Sequence, residues 1–156
     1  MTEPTKPSYR IFLSYRREDE TDFVLLVYSW FVWRYGRDNV FIDFESTPSG
    51  AQFDNVIREE VKNCDALVAI IGPKWKDIMR KRAFDDEKDY VQLEIGLALD
   101  EKKQVVPVQI KGADWPLPND VPQKCRGMLG YQKAVLQSGE GFMTGHRIRR
   151  GNFQRH

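Results

Sequence analysis

Cysteine and histidine are scarce in this chain, with two of each among 156 residues. Cys64 and Cys125 stand far apart and outside any CxxC spacing, which argues against both a structural zinc site and a disulfide framework. His146 and His156 both fall near the C-terminus, so a histidine-based catalytic arrangement has no support, and no metal is expected. No sign of charge dominates either. Lys and Arg total 24 and Asp and Glu 23, without the basic excess of a general nucleic-acid binder. Arg147, Arg149, Arg150 and Arg155 make one local exception. Long hydrophobic runs are missing too. The longest, "FVLLVYSWFVW" at 23–33, is broken by Ser29 and falls short of the roughly 20 residues of a membrane span. It reads as a helix buried over most of its circumference. The opening "MTEPTKPSYR" lacks the apolar stretch of a signal peptide, so the expectation is a cytoplasmic protein with two reduced, buried thiols and no membrane contact. Internal repeats and low-complexity segments are absent.

What is present is one domain's worth of alternating pattern. "YRIFLSY" (9–15) reads as a strand, and the acids of "REDETDF" open a helix that runs to Tyr35 and stops at Gly36. "NVFID" is a second strand, and "QFDNVIREEVKNC" an amphipathic helix with Phe53, Val56, Ile57 and Val61 at helical spacing. "ALVAIIG" is apolar throughout, as suits a strand covered on both faces of a parallel sheet. A short helix around "KWKDIMRKR", a helix at "YVQLEIGLALDE" and a strand at "QVVPVQI" follow. A proline-marked connection then leads to a short fifth strand near 131–136. This alternation predicts an α/β fold with helices on both sides of a parallel sheet. Residues 1–8 read as a flexible arm, 9–136 as the domain, and 137–156 as a basic, glycine-containing tail or a truncated C-terminal region.

Ligands of such sheets sit beyond the carboxyl ends of the strands. Arg16 and Arg17 follow the first strand, and Asp43 and Glu45 follow the second, inside "FIDFESTPSG". On the later helix Tyr90 and Glu94 are four residues apart and share a face. Glu94 therefore borders the apolar stripe of Val91, Ile95 and Leu99, with a ring one turn before it. Spacing alone also allows a solvated Glu94, an Arg16 paired with Glu45, and an Asp43 that caps its own loop. Phe12 and Ser14 read first as strand residues, Tyr90 as pocket wall or core edge, and Trp75 and Trp115 as packing residues.

Five ordered segments resemble the Toll/interleukin-1 receptor (TIR) domain, in its bacterial, NAD-cleaving branch: "IFLSYRRED", "VFIDFESTPSGAQF", "CDALVAIIGPKW", "YVQLEIGLAL" and "VVPVQIKGADWPLPNDVP". The resemblance implies a flavodoxin-like three-layer sandwich with a central five-stranded parallel sheet flanked by helices. It makes Glu94 the catalytic residue and places Phe12, Ser14, Arg16, Asp43, Glu45, Ser46 and Tyr90 around bound NAD+, the substrate, with no cofactor. Residues 44–52 become the BB loop, which gates the pocket and joins neighbouring TIR domains. Two departures stand out. NAD-cleaving relatives often carry tryptophan where this chain has Tyr90, and nothing after Leu136 resembles the family's last helix. The resemblance implies NAD+ cleavage to ADP-ribose or a cyclic product in antiphage immunity. It also leaves open a non-catalytic adaptor or host-mimicking virulence factor, or an enzyme resembling nucleoside deoxyribosyltransferases acting on free nucleosides.

Overall fold

Along the central strands successive side chains point to opposite faces, and here both faces are apolar, so the sheet must be covered twice. The computed structural model describes residues 9–19, 21–42, 51–110 and 112–136. Strands β1 (Ile11–Ser14), β2 (Val40–Phe41), β3 (Ala66–Ile71), β4 (Gln104–Ile110) and β5 (Ala134–Leu136) form one sheet. Its order is β2-β1-β3-β4-β5, with every neighbouring pair parallel. This is the flavodoxin-like order, which reverses direction between β1 and β3.

Helices α1 (Thr21–Tyr35), α2 (Ala51–Asn63), α3 (Trp75–Phe84) and α4 (Tyr90–Asp100) connect the strands. The β1-to-β2 connection runs leftward along the sheet and the later ones rightward. Right-handed crossovers therefore send α1 to one face and α2 to α4 to the other. The core divides accordingly. Ile11, Leu13, Val68, Ile70, Val106 and Val108 pack with Val24, Val27 and Phe31 of α1. On the opposite face Phe12, Leu67, Ala69 and Ile71 pack with Ile57, Val61, Trp75, Met79 and Ile95. Three layers result, as the sequence pattern and the resemblance together predict.

Two local expectations need correction and one is refined. Helix α1 fully buries Val24, Val27 and Phe31, and Phe23, Leu26, Tyr28, Trp30, Val32 and Tyr35 pack partly buried against the same core, while Leu25 and Trp33 are exposed. On α2 Val56 points outward, and the inward stripe is Phe53, Ile57 and Val61 at steps of four. The proline-marked connection is also more regular than a loop. It holds 3₁₀ turns at Pro118–Asp120 and Gln123–Gly130, the second seating Cys125 and Met128 in the core. Gly36 does end α1, at φ 93°, where its N–H still reaches the Val32 carbonyl at 2.8 Å. A side chain disfavours that backbone conformation.

Candidate functional site

After β1 the chain turns back on itself, with the Asp19 N–H donating to the Arg16 carbonyl at 3.0 Å. Arg16, Glu18 and Asp19 of this turn are tied to α3, α4 or their caps. Arg16 swings inward, where its two terminal nitrogens donate to the two carboxylate oxygens of Asp89 at 3.0 and 2.8 Å. Both side chains are fully buried. The guanidinium also lies 5.4 Å from the centre of the Trp75 ring and 3.6 Å from Met79 Sδ. Glu18 pairs with Arg82 at 2.8 Å, and Arg82 in turn stands 3.6 Å from Asp89. The Asp19 carboxylate accepts from the Lys74 N–H at 2.6 Å. It rests against Gly72 so closely that a Cβ there would stand 2.6 Å from its Cγ.

Asp89 is the N-cap of α4, in extended backbone, with its side chain accepting from the Val91 N–H at 3.1 Å. Aspartate suits that position because it satisfies a free helical N–H and places negative charge at the positive end of the helix. Burial pushes its carboxyl up. The hydrogen bonds and charge of Arg16, the charge of Arg82 and the Val91 N–H pull it down further, and the net value lies below the ordinary one.

This arrangement walls a cleft of about 220 Å³ over the carboxyl end of β1. Phe12, Leu13, Tyr15, Arg16, Arg17 and Glu18 line it from β1 and the turn after it, Phe41, Phe53 and Ile57 from β2 and α2, and Arg82, Asp89, Tyr90, Val91 and Glu94 from α3, α4 and the cap of α4. The Tyr90 ring meets Phe53 edge to face at 4.7 Å. Lys88 lies 5.0 Å from the centre of the same ring. Glu94 sits one turn beyond Tyr90, half-buried, with its Oε2 shut off from solvent. Besides Asp89 and Glu18, which pair with Arg16 and Arg82, the cleft carries the Glu94 carboxylate one turn from the Tyr90 ring, and a carboxylate there favours a positive charge developing beside it.

Of the polar and ring residues singled out from the sequence, Phe12, Arg16, Arg17, Tyr90 and Glu94 line this cleft. Ser14 does not: it is buried, and among the described residues its hydroxyl has no partner. Asp43, Glu45 and Ser46 lie outside the described residues, as does most of the 44–52 segment. Arg16, expected beside NAD+ or paired with Glu45, is paired with Asp89 where it lines the cleft. Its two terminal nitrogens are spent on Asp89, in a place too dry for a guanidinium to go unpaired. Asp89 was missed because its partner is 73 positions away. The available signal was an aspartate immediately before a helical apolar period, an N-cap pattern. Phe41, Phe53 and Arg82 were missed as cleft residues for the same reason: only the fold brings them there.

Among the described residues no group of three or more His, Cys, Asp or Glu is arranged to hold a metal ion. No described helix is long and apolar enough to cross a membrane. Against known proteins, the NAD(+) hydrolase sarm1 of Drosophila melanogaster is 26% identical over 147 residues, which is 88% of this chain and 10% of that protein. The chain therefore spans about a tenth of the length of that curated relative. Among solved structures, the CMP N-glycosidase BcmB of Clostridium botulinum superposes with a TM-score of 0.51 at 14% identity, covering 86% of this chain and 93% of that one. That likeness is one of fold. A family profile described as the TIR domain matches residues 11–137, from β1 through β5, and the chain belongs to that family.

Proposed function

We propose that this chain is an NAD+ nucleosidase that breaks the bond between nicotinamide and ribose, with Glu94 as its catalytic residue. The observation that carries the reading is the place of Glu94: half-buried, one turn beyond Tyr90, on the wall of the cleft over β1. The distant similarity to an NAD(+) hydrolase supports it.

The chemistry asks little beyond one carboxylate. Nicotinamide in NAD+ is already a cation, so it leaves with the bonding electron pair without a general acid. What must be stabilised is the oxocarbenium-like ribose, and an anion in a partly dry cleft does that. Attack by water, with loss of its proton, gives ADP-ribose. Attack by the substrate's own adenine or ribose gives a cyclic product. The cleft is smaller than the usual 300 to 1,000 Å³ of ligand pockets, so it seats the reacting end of a dinucleotide and leaves the rest outside. In this reading, self-association through residues 44–52 completes the pocket, the isolated domain is slow, and the setting is cytoplasmic antiphage defence.

The test is NAD+ consumption with chromatographic identification of products, at high protein concentration with a crowding agent. Wild type should cleave NAD+, and Glu94→Ala should lose about 100-fold or more. Equal inertness of the two, even when clustered by a fused oligomerisation tag, would replace the enzyme with a TIR scaffold. Cleavage of free nucleosides without clustering would replace it with a nucleosidase of another kind.

A further inference from the structure

A buried ion pair contributes little net stability compared with apolar side chains of the same size. The Arg16–Asp89 pair therefore asks for another reason, and its position supplies one. Arg16 hangs from the end of β1 in the middle of the core and is wedged against Trp75 and Met79. Asp89 is the last residue before α4 and takes both terminal nitrogens of that guanidinium while capping Val91. Two parallel charge-assisted bonds fix orientation as well as distance. The first turn of α4 is thus pinned to the turn that follows β1 and lines the cleft. Glu94 lies five residues further on, about 7.5 Å along a stiff helix, so a tilt or roll of the first turn is carried to its carboxylate.

We infer that the Arg16–Asp89 pair is a positioning device: it sets the pose of α4 so that Glu94 faces the reacting centre in the cleft. Neither residue touches that centre in this reading. The inference rests on the assignment of catalysis to Glu94. Arg82 joins Asp89 to Glu18 on the more exposed side. Misplacement of a reacting group by about 1 Å is enough to slow a step on the order of 100-fold.

The decisive variant is Arg16→Met with Asp89→Asn in the clustered full chain. It removes both charges together, so no buried charge is stranded, and asparagine keeps the helix cap. Expected are a thermal midpoint near wild type and amide exchange across 89–95 faster by on the order of tenfold. NAD+ turnover should fall about 10- to 100-fold in kcat with KM little changed. Unchanged exchange or unchanged kcat in the folded variant would reduce the pair to a structural contact. Should the double variant not fold, Arg16→Lys decides. It keeps the charge without the fork, and full activity there would overturn the inference. An inactive wild type sinks the Glu94 reading and this inference with it, whereas an active wild type with an unaffected double variant sinks only the positioning role.

Discussion

At the scale of single residues, the two aspartates of the β1 turn and the α4 cap respond oppositely to acid. Asp89, held by Arg16, has a folded-state value below the ordinary carboxylate range despite its burial. The unfolded chain therefore takes up that proton first as pH falls. Its contribution to stability is complete above the unfolded aspartate value of about 3.9 and is lost as pH drops through the lower folded value. Asp19 runs the other way. Burial raises its carboxyl more than the Lys74 N–H and the charge of Arg16 lower it. Its contribution is present at low pH and is lost as pH rises through the raised value. Urea midpoints measured between pH 2 and 6 should show wild type losing stability steeply below about pH 4. The Arg16→Met, Asp89→Asn variant should give a flatter curve, because it lacks Asp89 and its Asp19 is raised further. Parallel curves would remove the pair as a source of acid sensitivity.

Among the elements, α2 tests which spacing matters. Helical periodicity admits both Val56 and Ile57 to the apolar face, but the helix can direct only one stripe at the sheet. Ile57 is 1% exposed and Val56 48% exposed. Ile57→Ala should cost about 2 to 5 kcal/mol in urea unfolding, from lost transfer energy plus the cavity left behind. Val56→Ala should stay within about 0.5 kcal/mol. Equal losses would mean that α2 sits rotated from its described pose. Helix α1 carries the same lesson, since an apolar composition all round does not create a second surface to bury it. Trp33 remains 77% exposed while Val27 and Phe31 on the same helix are fully buried.

On the scale of the whole molecule, the two thiols report on global opening. Cys64 and Cys125 both belong to the core layer beneath α2, α3 and α4. Burial is the main cause that pushes the first up to about 11 and the second to about 12. Since the thiolate is the reactive form, alkylation at pH 8 should be slow in the native protein. Its rate should rise with denaturant in step with loss of the fold. Prompt labelling of either thiol under native conditions would mean that this layer opens locally, beside the very helix that carries Glu94.

Much of this protein was legible as sequence. The fully apolar "ALVAII" run announces a strand covered on both faces, and strand–helix alternation implies a parallel sheet. Residues Tyr90 and Glu94 share a face by helical geometry alone. These are local properties, set by periodicity and by the few residues on either side. The tertiary structure decided what depends on distance in sequence. It gave Arg16 its partner, Asp89, 73 positions on. It set Phe41, Phe53 and Arg82 on the cleft walls and chose Ile57 over Val56 for the core. The physical reason is the same in each case. A side chain's neighbours are fixed by how layers pack and crossovers turn, and a guanidinium taken out of water pairs with whichever carboxylate the packing brings to it.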